Sequence, residues 1–290
     1  PVLVLLAACA LLALTACGGG GVSSDATPAT QTPHASVQQV THTASAPDGS
    51  VSGGITASAI CPGGEALLSG GYSIQAPDQA KALANILSYP SAGSAWTVNV
   101  TLLPGDGGAT THLPVTLTVV ADCLKANFPV STQIVQNSMT PPNDGNLHTF
   151  SANCPNGAAL TGGGQSGAVV GVGTPTDGAW QGEAFSTLGS GTSAPAIVYT
   201  ICASNLGPGA QPTKTQQAAN GAASASATVS CPAGQVLVGG AGTSDGPMNT
   251  YTSRLSGNGG QWQALSILGG VTGPIALDET AVGVCVTIPD

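Results

Sequence analysis

Charge is the scarcest property of this 290-residue chain, since only 6% of its residues are Asp, Glu, Lys or Arg. An ordinary cytosolic domain carries about 25%. Lys81, Lys125, Lys214 and Arg254 are the only Lys and Arg, set against 13 Asp and Glu for a formal net charge of −9. Phosphate recognition needs clustered cations, so this scatter excludes nucleic acid as a partner. Aromatic residues are also sparse, at 3%, which is lean for a lectin. There is no CxxC, no His in ligand spacing beside a cysteine and no D-x-D pattern, so neither a metal nor another cofactor is expected. What remains is Ser, Thr, Asn and Gln among many Ala and 42 Gly.

The opening run PVLVLLAACALLALTA, residues 1–16, is uncharged and almost wholly apolar. It falls short of the roughly 20 residues that span a bilayer as a helix. It matches the apolar region of a secretory signal peptide, whose positively charged n-region is expected ahead of Pro1. Leu14-Thr15-Ala16-Cys17 resembles the bacterial lipobox, Leu-small-small-Cys. That resemblance implies cleavage before Cys17 and acylation of its sulfur, giving a membrane partner through the lipid. Several acyl chains together give a stable membrane hold. Leu6-Ala7-Ala8-Cys9 fits the same pattern but lies inside the apolar run, and the polar tract begins only after Cys17. The rival reading is a plain signal peptide with two incidental cysteines. Residues 17–35, rich in Gly, Ser, Thr and Pro, read as a flexible tether.

Setting Cys9 and Cys17 aside leaves six cysteines in a pattern. Cys61, Cys154 and Cys231 each begin C-P-x-G-x-x-L-x-[G/S]-G. Each is followed by one Trp (Trp96, Trp180 and Trp262, the only three) and then one more Cys: Cys123, Cys202 and Cys285. Trp-to-Cys spacings are 27, 22 and 23 residues, whereas Cys-to-Trp spacings of 35, 26 and 31 vary as loops do. Self-similarity of this kind marks a repeat architecture. The repeats are expected at 36–127, 128–207 and 208–290. Among fifteen connectivities, repeat symmetry selects Cys61–Cys123, Cys154–Cys202 and Cys231–Cys285.

Strand patterns dominate each unit. In WTVNVTL, Trp96, Val98, Val100 and Leu102 share one face and Thr97, Asn99 and Thr101 the other, the period of two of a half-buried strand. Pro-x-Gly after the first Cys makes a tight turn, and the Gly-rich step beyond it suggests a bulge or a close backbone approach. Residues 77–87, PDQAKALANIL, are the one stretch that reads as a short helix. The expected fold is all-β: three tandem disulfide-bonded repeats packed with pseudo-threefold symmetry, prism-like, because a unit this small is marginal alone. Three small β-sandwich beads are the alternative.

The CPxGxxLx[G/S]G…W…C repeat resembles one found in exported bacterial proteins, a likeness that implies export and no particular activity. It is also similar to the vitelline membrane outer layer protein I family, a β-prism with C-P-x-G turns and an Asp-Asp-Thr-Ala stretch before a Cys. Asp278-Glu279-Thr280-Ala281 before Cys285 echoes that stretch, and repeats one and two lack it. This second likeness implies a fold and no function.

Catalytic patterns are weak. Gly242-Thr243-Ser244-Asp245-Gly246 satisfies the G-x-S-x-G elbow, but the last His of the chain is His148 and no helix signal follows. Gly162 to Gly167 fits G-x-G-x-x-G only as the second copy of the shared Gly-rich turn. His34, His42, His112 and His148 do not recur between repeats and read as exposed polar positions. A carboxylate-dependent hydrolase would draw on Glu65, Glu183, Asp278 and Glu279, from different repeats. A surface carbohydrate-binding protein would use Trp96, Trp180 and Trp262 for ligand stacking. Each Trp nonetheless lies between two bridged cysteines, as a core residue does. The leading expectation is an exported lipoprotein of the cell or outer membrane, facing the cell surface or periplasm. It would have a structural or binding role toward glycan or protein and no catalytic site.

Overall fold

The computed structural model describes residues 34–46, 54–75, 83–102, 114–169, 173–185, 194–217, 224–244, 248–256, 260–268 and 278–289. Cys9, Cys17, residues 1–33 and His112 lie outside them. Every described element is a strand. The first set is β1 (Ala35–Ala46), β2 (Gly54–Ile60), β3 (Ala66–Gln75), β4 (Leu83–Ala92), β5 (Ala95–Leu102) and β6 (Val115–Ala126). The second is β7 (Thr132–Met139), β8 (Leu147–Asn153), β9 (Ala159–Gly167), β10 (Thr174–Thr176), β11 (Ala179–Phe185) and β12 (Ala196–Ala203). The third is β13 (Gly207–Pro208), β14 (Thr213–Gln217), β15 (Ser224–Val229), β16 (Val236–Ser244), β17 (Met248–Leu255), β18 (Trp262–Leu268) and β19 (Asp278–Thr287).

Each set builds the same two antiparallel ladders. One has the second cysteine on its middle strand: β1-β6-β3, β7-β12-β9 and β14-β19-β16. The other has the Trp on its middle strand: β2-β5-β4, β8-β11-β10 and β15-β18-β17. In β5 the apolar face of Trp96, Val98 and Val100 enters the core of the first repeat as the period of two predicts. Thr97 on the other face is buried as well, so the strand is not half-exposed. Disulfides Cys61–Cys123, Cys154–Cys202 and Cys231–Cys285 join the two ladders of each repeat. They close loops of 62, 48 and 54 residues, each worth about 4 kcal/mol in the chain-entropy model. Pro62, Pro155 and Pro232 accept the turn bond from Glu65, Ala158 and Gln235 N–H, while Gly64, Gly157 and Gly234 take φ of 86°, 85° and 82°. Only glycine holds that conformation cheaply.

The repeats are not separate sandwich beads. Thr252 and Ser253 of β17 pair with Ser73 and Tyr72 of β3, and Ser88 of β4 pairs with Gln165 of β9. A shared core also gathers Leu68 and Leu124, Ala152 and Val198, and Val238 and Val284 from all three sets. The strands fall into sheets of six, three, six and four, where a closed three-sided prism would have three. The missing ladder among the described residues is the one between β10 and β16. The two ladders that do form each have a glycine at the point of closest approach. A Cβ at Gly71 would overlap the Ser253 carbonyl oxygen, and one at Gly164 would overlap that of Ser88. The third repeat carries Ala241 at the same place.

The expected helix over 77–87 is corrected where it is described: Leu83–Ala92 is strand β4, and 77–82 lie outside the described residues. Local Ala and Leu favour helix only weakly, and the ladder with β5 together with the β9 seam overrides them. Replacing Gly71 or Gly164 with Ala is expected to cost about 1–3 kcal/mol each by overpacking the seam. Gly63 and Gly93, whose Cβ positions meet nothing within 4 Å, should tolerate Ala almost freely. Denaturant unfolding of the four variants checks this contrast.

Candidate functional site

The residues that the repeat pattern singles out converge on the junction of the repeats. A glycine of each Gly-rich strand faces the Trp of its own repeat: Gly70 against Trp96, Gly163 against Trp180 and Gly240 against Trp262. Any Cβ there would meet the indole ring. Each Trp is therefore sandwiched in the core, with exposures of only 1%, 3% and 1%. That corrects the ligand-stacking role considered for Trp96, Trp180 and Trp262, because a sugar cannot reach a buried ring face. Trp96 Nε1 donates to Ser88 Oγ at 2.9 Å and Trp262 Nε1 to Ser253 Oγ at 3.3 Å. Trp180 has Gly173 at the matching place, and its buried Nε1 makes no hydrogen bond among the described residues.

One residue before those glycines, the three strands touch one another in a cycle. Thr161 Oγ1 donates to Leu68 O at 2.8 Å, beside Gly162, which packs on Ser69. Gly239 lies against Thr161 O, and Ser69 Oγ bonds Val238 O at 2.7 Å. A cavity of about 30 Å³ at this junction is lined by Gly70, Trp96, Gly163, Trp180 and Gly240. It has room for a water or two.

Among the described residues two carboxylates are buried completely, Asp122 on β6 and Glu279 on β19. Burial pushes the Asp122 carboxyl up to about 6, against the lowering effect of hydrogen bonds from Ser69 and Gln39. Burial likewise pushes Glu279 up to about 7, with Ser266 pulling it down. Tyr72 is raised by its own burial first and by the Glu279 charge second.

The four carboxylates of the hydrolase reading do not form one site. Glu65 accepts from Gln38 at the edge of a groove of about 310 Å³ that Leu124, Phe128 and Val130 also line. Glu183 is exposed on β11, opposite Thr149. Glu279 is sealed in the core while Asp278 is half-buried, as alternation along a strand requires. Ser244 ends strand β16 and Gly162 to Gly167 lie on strand β9, so neither glycine motif opens a helix. His148 meets Asp144 at 3.0 Å on the surface. Asp122 escaped the sequence reading; its one signal is an acid inside the apolar run of LPVTLTVVADC. No known family model matches the chain, and no curated protein matches it.

The Trp substitutions should separate by their partners. Trp96→Phe breaks the bond to Ser88, whereas Trp180→Phe removes an N–H that makes none. Thermal or denaturant unfolding should find Trp180→Phe less destabilising than Trp96→Phe by about 1 kcal/mol.

Proposed function

We propose that this chain is an exported bacterial lipoprotein whose folded repeats serve as a disulfide-stapled structural or binding module held at a membrane by Cys17. The observation that carries the reading is the cysteine count. All six cysteines of the repeats are paired in disulfides, which leaves only Cys9 and Cys17 in the apolar leader for another role. Disulfides of this kind persist in oxidising compartments, in keeping with export. Cys17 sits at the end of that leader, ahead of a polar tether, where lipidation would leave the repeats free to project from the bilayer. The sparsely charged composition, rich in Ser and Thr, suits adhesion or scaffolding.

The same reading takes the three repeats to be arranged about a pseudo-threefold axis. Support comes from the cyclic contacts of Leu68 with Thr161, Thr161 with Gly239, and Val238 with Ser69. The two seams that use equivalent glycines point the same way. Metabolic labelling with a clickable fatty acid tests the anchor. Label and membrane fractionation should be lost in Cys17→Ser and kept in Cys9→Ser. Retention of both in Cys17→Ser would refute the assignment.

A further inference from the structure

The two fully buried carboxylates both lie where the first repeat meets the third. Ser69 Oγ is 2.7 Å from Asp122 Oδ2 and 2.7 Å from the Val238 carbonyl oxygen. A hydroxyl has one proton, while a carboxylate and a carbonyl are both pure acceptors. With Asp122 ionised, one of these two contacts sets lone pair against lone pair. With Asp122 protonated, its O–H donates to Ser69 and Ser69 donates to Val238, so both are satisfied. Gln39 Nε2 completes the chain by donating to Asp122 Oδ1 at 3.2 Å and to Leu255 O at 3.0 Å. The proton on Asp122 thus connects β6, β3 and β1 of the first repeat with β16 and β17 of the third.

Glu279 occupies the other flank of that seam. It is sealed beside Ser266 of β18 and Gly242 of β16, close enough to Tyr72 of β3 to oppose ionisation of that phenol. The surrounding strands carry His42 on β1, Lys125 on β6, Lys214 on β14 and Arg254 on β17, and the acids Asp278 on β19 and Glu65 just before β3. Among the described residues, none of these charges forms an ion pair with either buried carboxyl. The backbone ladder of this seam is only two residue pairs long, and each disulfide stays within its own repeat.

We infer that the seam between the first and third repeats is a proton-held clasp, closed while Asp122 and Glu279 are protonated and loosened when they ionise. The inference goes beyond the lipoprotein reading and does not depend on it. Because both acids are raised on folding, their contribution is greatest below the unfolded values near 4. It falls as pH rises through about 6 and then about 7. Opening breaks no covalent bond, so the clasp is reversible and answers to the acidity of the surrounding medium.

Thermal unfolding of the full chain at pH 5 and pH 8 tests it, comparing wild type with the Asp122→Asn/Glu279→Gln double variant. The wild type should lose about 10 °C between the two conditions. The double variant should lose less than half of that and exceed the wild type at pH 8. Equal pH dependence in the two proteins overturns the clasp. Should the variant not fold, carboxyl-carbon NMR of the wild type decides. Two carboxyls titrating well above the rest support the inference, and a single common titration range overturns it.

Discussion

Successive residues of a strand face opposite sides, so Gly70 and Gly71 answer to two different neighbours. Gly70 receives the face of Trp96 and so closes the core of its own repeat. Gly71 lets the backbone of β17 come within pairing distance and so joins the first repeat to the third. Gly163 and Gly164 do the same for the second repeat with Trp180 and β4. A side chain at either position would push out a Trp or open a seam. The glycines of these strands thus lie where backbone meets ring or backbone. The third repeat, with Gly240 and Ala241 at these places, keeps its Trp contact, and no ladder from β16 to β10 forms among the described residues.

The division of labour between covalent and non-covalent links is equally sharp. Disulfides tie the two ladders within each repeat, and only packing, hydrogen bonds and short ladders hold repeat to repeat. Individual repeats would keep their internal staple if the seams were lost. Stability of the whole therefore rests on the shared core around Leu68, Val198 and Val238, and on polar groups such as Ser69 and Thr161 that cross between strands. Burial of a carboxylate at such a place raises the cost of the folded state at neutral pH and makes the contact responsive to a proton.

Much of this was legible in the sequence because the relevant signals are local. The Pro-x-Gly turns, the alternation in WTVNVTL and the Cys…Trp…Cys order are all readable within one repeat. The seams were not, because Gly71 and Ala241 differ by a methyl whose meaning depends on a strand from another repeat. The strand at Leu83–Ala92 was hidden for the same reason, since its Ala and Leu content favours helix until β5 and β9 are placed beside it. Asp122 drew no reading and Glu279 stood beside Glu183 as a candidate carboxylate; only tertiary burial sets the two apart from Glu183. The Trp residues carried two readings, and the glycine opposite each ring decides between them.

The central claim is that the three repeats are one cooperative body joined through glycine seams. Scanning calorimetry of the intact, oxidised chain tests this most directly. The account requires a single unfolding transition whose calorimetric and van't Hoff enthalpies agree. Two or three separable transitions, each of a size suited to one repeat, would contradict it.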